Sequence, residues 1–95
     1  MPSYRVTLVV GMLAPGVAPQ QVLPAAKAAG LELAVVEASD LAVVAGEARI
    51  TIRFAADEAE IARQVGEHIA SSTAALARVE RWRLTERVGG RWESV

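Results

Sequence analysis

Ala48-Arg49-Ile50-Thr51-Ile52-Arg53-Phe54 alternates apolar and polar side chains without a break. Side chains on a β-strand point to opposite faces with period two, so this stretch predicts a strand, β3, with Ile50, Ile52 and Phe54 on a buried face and Arg49, Thr51 and Arg53 on the other. Tyr4-Arg5-Val6-Thr7-Leu8-Val9-Val10 reads the same way up to Gly11 and predicts β1. Arg5-Val6-Thr7-Leu8 also matches Arg49-Ile50-Thr51-Ile52 position by position, a faint internal repeat in which each copy opens a β-α-β half.

Working outward, Pro15-Gly16 predicts a turn after β1. Pro19 to Ala29 then carries Val22, Leu23, Ala26 and Ala29 at roughly helical spacing, which predicts α1 with Gly30 as a left-handed stop. Pro24 falls inside that helix, where it removes a ladder hydrogen bond and implies a kink or a late start. Leu31 to Glu37 predicts β2. Residues 38–47 are ambiguous: Ser39-Asp40 suits a turn, Leu41 to Val44 a strand and Gly46-Glu47 a second turn, a pattern that admits a long, interrupted hairpin between β2 and β3. Asp57-Glu58-Ala59-Glu60 places acids where they complement a helix N-terminus, and Ile61, Val65 and Ile69 form one stripe, so α2 is expected from Asp57 to at least Ala70. Val79 to Val88 predicts β4, and Gly89-Gly90 a two-residue hairpin into a short strand from Arg91 to Val95. The expected fold is α+β: a ferredoxin-like βαββαβ two-layer sandwich with two helices on one face of an antiparallel sheet and a C-terminal hairpin strand.

The chain has 95 residues, enough for one domain spanning 1–95 with a single modest core. Hydrophobic residues make up 53%, but the only aromatics are Tyr4, Phe54, Trp82 and Trp92, so that core is aliphatic. Ten Lys+Arg against eleven Asp+Glu leave a net charge of −1, unlike a disordered polyelectrolyte or a strongly basic nucleic-acid protein. Without cysteine there is no disulfide framework, thiolate metal site or thiol nucleophile. No apolar run approaches the roughly 18 residues of a membrane span and no leader pattern opens the chain, so the expected location is the cytoplasm, with no membrane partner.

Period-two geometry collects Arg5, Arg49, Arg53, Arg81 and Arg83, with Thr7, Thr51 and Thr85, on the sheet face away from the helices. That is five of the nine arginines. The acids are expected elsewhere, on α2 and around the β2–β3 connection, which would make the protein dipolar. Such a basic face suits single-stranded RNA or another polyanion, because arginine pairs with phosphate and stacks on bases. Stacking platforms on the central strands are absent, however, since those positions are Arg and Thr, and a plain solvated sheet face is the simpler reading. Trp82 is expected in the core. Trp92, with Arg81, Arg83, Arg87 and Arg91 nearby in sequence, is a candidate for cation-π contacts or for an edge that extends the sheet into a second subunit.

Gly11-Met12-Leu13-Ala14-Pro15-Gly16-Val17, followed by a helix closing at Ala28-Ala29-Gly30, resembles the first loop of the ACT domain, a small ligand-sensing βαββαβ module. The family pattern is glycine, any residue, aspartate or asparagine, any residue, Pro-Gly and an apolar residue. Gly11, Pro15, Gly16 and Val17 match it, and the resemblance runs loosely from Tyr4 to Ala70. It implies amino-acid binding at Gly11, Leu13, Ala14, Pro15, Gly16 and Val17, within a dimer whose sheets pair edge to edge. Leu13 stands where the family has its polar residue, which turns that position toward an apolar contact.

No catalytic constellation emerges. His68 is the only histidine, Ser71-Ser72-Thr73 lacks triad partners, and Glu58 and Glu60 do not share a helix face. Pro2 would become an N-terminal secondary amine after methionine removal, as in tautomerases, but the apolar alternation starts only at Tyr4. No metal site or cofactor is implied. The sequence therefore points to a non-enzymatic, self-associating module, a homodimer or larger, that binds a small ligand such as an amino acid or a protein partner. The alternatives are polyanion binding through the arginine face and a cofactor-free enzyme built from a ferredoxin-like dimer.

Overall fold

The computed structural model describes residues 1–95. Five antiparallel strands and two α-helices make an α+β fold with the strand order β2-β3-β1-β4-β5. The strands are β1 (Ser3–Leu13), β2 (Val35–Val44), β3 (Glu47–Ala55), β4 (Ala77–Val88) and β5 (Arg91–Ser94), and the helices are α1 (Val22–Leu33) and α2 (Ala59–Ala74). A 3₁₀ turn at Pro19–Gln21 leads into α1.

The central strand is β1, with β3 on one side and β4 on the other. Tyr4 sits opposite Phe54, Val6 opposite Ile52 and Leu84, and Leu8 opposite Ile50 and Trp82. Tyr4, Val6, Leu8, Ile50, Ile52 and Phe54 are essentially sealed from water. Each such side chain contributes on the order of 1.5–3 kcal/mol by leaving water. Tyr4 and Phe54 stack with ring centroids 6.1 Å apart. Both helices cover this face. Val22, Ala26 and Ala29 of α1 and Ala62, Val65, Ile69 and Ala70 of α2 complete the core.

Several boundaries differ from the sequence reading, each for a local reason. Gly30 does not stop α1, which continues to Leu33. It is buried where a Cβ would stand 3.0 Å from Val36 Cγ2 and 3.3 Å from Ile69 Cδ1, so the glycine serves the close approach of α1 to the sheet and α2. Leu31 to Leu33 therefore belong to the helix, and β2 begins at Val35. Pro24 lies in the first turn of α1, where a missing amide breaks no ladder bond. In α2, Ile61 is exposed and Ala62 takes the buried position beside Val65 and Ile69. Trp82 is half-buried, its ring over Gly66 of α2, where a Cβ would come within 3.0 Å of Cζ3.

Residues 38–44 continue β2 beyond an irregularity at Glu37, so the β2–β3 connection is one long hairpin. Its tip is Ala45-Gly46, with φ of +52° and +79° between the paired Val44 and Glu47. Positive φ at both central residues is the two-residue turn that matches strand twist, and it favours Asn-Gly. An L-residue without a hydrogen-bonding side chain costs roughly 1–2 kcal/mol in that region. Ala45→Asn is therefore expected to stabilise the protein by about 1 kcal/mol, read as a higher urea midpoint at unchanged m-value. An unchanged or lower midpoint would contradict the strain assigned to Ala45.

Candidate functional site: the open sheet face

The registers place the polar residues of the central strands on the face away from the helices. Arg5 lies between Arg53 and Thr85, Thr7 between Thr51 and Arg83, and Val9 between Arg49 and Arg81. All five arginines expected there, Arg5, Arg49, Arg53, Arg81 and Arg83, thus share one surface. Two shallow cavities mark it. One, of about 190 Å³, is lined by Thr7, Val9, Arg49, Arg81 and Arg83, with Trp82 between the two β4 arginines. The other, of about 270 Å³, is lined by Arg5, Thr51, Arg53 and the β2 residues Ala38, Ser39 and Asp40.

The expected separation of acids from arginines is corrected here. Glu47 sits two residues before Arg49 on β3, hence on the same face. Its Oε1 accepts from Arg81 Nη2 at 2.9 Å and from Arg49 Nη2 at 3.3 Å, and its Oε2 lies 3.2 Å from Arg81 Nη2. Glu37, at the irregularity in β2, accepts from Ser3 Oγ at 2.7 Å and from Arg53 Nε at 2.9 Å. The hydrogen bond from Ser3, then that from Arg53 and its charge, hold the Glu37 carboxyl below the ordinary carboxylate value. Glu47 is lowered as well, chiefly by the hydrogen bond from Arg81 and then by Arg49. Period-two counting back from Arg49 was the signal that could have put Glu47 on this face; reading Gly46-Glu47 as a turn concealed it. No such count reaches Glu37, because its position depends on the break in β2.

Trp92 also faces this surface, opposite Arg87 on β4. Its ring carries the Arg5 guanidinium 4.0 Å from the centroid, with that of Arg53 at 5.4 Å. The cation-π partners are therefore cross-sheet residues and not the sequence neighbours Arg81, Arg83, Arg87 and Arg91. Arg83 has no carboxylate partner. Arg49 Nε is buried without an acceptor.

The loop that resembles the ACT domain is distributed differently. Gly11 and Leu13 fall in the last residues of β1, where Leu13 pairs with Ala77 and the Glu80 side chain fills the space beside Gly11. Ala14 to Val17 form a turn with Gly16 at φ +81°, closed by the Val17 amide donating to the Ala14 carbonyl at 3.1 Å. The Ala14 amide donates to the Leu76 carbonyl at 2.8 Å and the Ala18 amide to Gln21 Oε1 at 2.6 Å. Most of the donors that would hold a carboxylate are thus engaged within the chain, and Gly16 keeps a free amide.

Elsewhere, His68 Nε2 lies 2.9 Å from Glu32 Oε1, bridging the two helices on the far side of the molecule. Pro2 is exposed, and its carbonyl accepts from the Ala56 amide at 3.1 Å. No three His, Asp or Glu side chains converge as metal ligands, and no helix is long and apolar enough to cross a membrane. No family model, no curated protein and no solved structure matches the chain.

Two outcomes test this arrangement. A double-mutant cycle on Arg5→Ala and Trp92→Leu is expected to give a coupling of about 0.5–1 kcal/mol, whereas additive effects would mean the stacked pair does not form in solution. A carboxyl whose folded value lies below its unfolded one stabilises the fold fully above the unfolded value and loses that contribution as pH falls through the folded one. With Glu37 and Glu47 both lowered, stability is expected to fall as pH drops through and below the ordinary carboxylate range, and to fall less steeply in Glu37→Gln. Superimposable pH profiles for the two proteins would refute the Glu37 network.

Proposed function

We propose that this protein is a non-enzymatic, self-associating module of ferredoxin-like topology that binds a small anionic ligand on its open sheet face. The observation that carries the reading is the cavity over Thr7 and Val9, ringed by Arg49, Arg81 and Arg83 from two strands. Guanidinium groups offer paired donors that match carboxylate or phosphate, and strands hold them more rigidly than a loop would. The class of ligand includes amino acids and other carboxylates.

The strand order β2-β3-β1-β4, with β1 and β3 central and both helices on one face, supports the ferredoxin-like reading. Self-association has support at the edges. β2 is a ten-residue edge strand with Leu41, Val43 and Val44 exposed, and it carries no proline or lysine to block pairing. Light scattering at micromolar concentration is expected to give a dimer or larger, and a monomer would remove this part of the proposal.

A second reading, single-stranded RNA across the same face, draws support from Trp92, an aromatic ring beside Arg5 and Arg53. A ring already covered by Arg5 offers less to a base, so the small anion is preferred.

An amide NMR titration with a pool of free amino acids, and separately with inorganic phosphate, tests the site. Shifts are expected around Thr7, Val9, Arg49, Arg81 and Arg83, with affinity reduced roughly tenfold in Arg83→Ala, the loss of one charge-assisted hydrogen bond. Shifts confined to residues 11–17 would move the site to the loop, and a spectrum unchanged by both probes would overturn anion binding. Tight, steeply salt-dependent capture of a labelled single-stranded RNA would favour the second reading.

A further inference from the structure

We infer that the Glu47 carboxylate occupies the ligand's seat and that the ligand is a compact dianion, a phosphate group, which displaces it. The inference rests on the anion-binding reading of the open face and names both the ligand class and the device that regulates entry.

Glu47 already makes the contacts a ligand would make. One carboxylate bridges guanidiniums from β3 and β4 that flank Val9, at 2.9 and 3.3 Å from Oε1. It leaves the cavity only partly engaged. Arg83, two residues along β4 from Arg81 on the same face, has no carboxylate partner, and the Arg49 guanidinium is engaged only through Nη2, its buried Nε having no acceptor. Glu47 is tethered to β3 two residues from Arg49 and spans Arg49 and Arg81 but not Arg83, whereas a free anion can seat among all three. A carboxylate brings one negative charge and two oxygens to a site with three guanidiniums, whereas a dianionic phosphate brings up to two charges and three acceptor oxygens, enough to address Arg49, Arg81 and Arg83 together.

Displacement is feasible because Glu47 stands at the foot of the Ala45-Gly46 turn with its side chain about one-third exposed. Its carboxylate can rotate into water without moving the backbone. Its presence keeps Arg49 and Arg81 ordered in the absence of ligand, and it makes weak monoanions poor competitors. A ligand whose seat is occupied most of the time binds with an apparent affinity reduced by the open fraction.

The test is a titration of the wild type, Glu47→Gln, Glu47→Ala and Arg83→Ala with inorganic phosphate, and with acetate at matched ionic strength. Backbone amides and arginine Nε–H resonances are followed by NMR, and far-UV circular dichroism confirms that each variant is folded. Phosphate affinity is expected to rise roughly tenfold in both Glu47 variants, the gain for a seat previously open about one-tenth of the time. The Arg49 Nε–H resonance is expected to move on saturation, Arg83→Ala to weaken phosphate binding, and acetate to bind far more weakly than phosphate. Equal or weaker phosphate affinity in the Glu47 variants would overturn displacement while leaving the anion site standing. Equal affinity for acetate and phosphate would overturn the dianion assignment. No phosphate binding by any of the proteins would overturn both this inference and the reading beneath it.

Discussion

Everything in this fold depends on the alternation of one strand, β1, held on both sides by neighbours in strict antiparallel register. Each of its residues from Tyr4 to Val9 has a partner on β4, and each also has one on β3. Tyr4, Val6 and Leu8 thus nucleate three cross-strand rows of the core, and Arg5, Thr7 and Val9 define three rows of the opposite face. A slip of one residue would exchange the two sets and bury arginine beneath the helices. The register is therefore specified by the core, and the arginine face is inherited from it. A surface fixed in this way has little freedom to rearrange, which is what a binding site built on strands requires.

That dependence explains what the sequence could and could not convey. Where a strand has one dry and one wet face, the pattern carries its own register, and β1, β3 and β4 with all five face arginines were legible from period two alone. The hairpin at Gly89-Gly90 was legible from the turn chemistry, with Gly89 at φ +61°. β2 was legible only in part, as an interrupted hairpin arm with uncertain bounds, because it is an edge strand with most of its residues exposed on both sides and burial imposes no alternation on Val35 to Val44. Its turn was read one residue late, at Gly46-Glu47, because Ala45 occupies a conformation that alanine does not advertise. Gly30 misled for a different reason. Glycine next to a helix end signals either positive φ or close packing, and only the positions of Val36 and Ile69 decide between them. The sequence order likewise concealed that Trp92 would meet Arg5 and Arg53, since that contact is made across the sheet.

The arginine rows also pose a problem that the fold must solve. Arg5 lies directly opposite Arg53 on β3, a like-charge pair that destabilises an antiparallel sheet. Two features relieve it. Glu37 takes Arg53 into an ion pair, and the Trp92 ring accepts both guanidiniums over its electron-rich face. At the next pair of arginines, Arg49 and Arg81 face each other across Val9, and there Glu47 provides the relief. The acids at the sheet margin are thus counter-charges for the face, which accounts for a net charge near zero on a chain that gathers its arginines so densely.

Relief at the two ends is not equivalent, and the difference is what favours the Glu47 end as the proposed anion site. At the Arg5–Arg53 end, Ser3 binds Glu37, Glu37 pairs with Arg53 and the Trp92 ring takes both arginines, so an incoming anion would have to dismantle a network and unstack a ring. At the Arg49–Arg81 end a single partly exposed carboxylate serves two cations, and the adjacent Arg83 is left with none. Three guanidiniums, those of Arg49, Arg81 and Arg83, thus gather around one part-exposed carboxylate over a cavity floored by Thr7 and Val9, which leaves positive potential there only partly compensated. In the proposed reading, stability resides at the Trp92 end of the sheet face and anion recognition at the Glu47 end, with β1 as the element common to both.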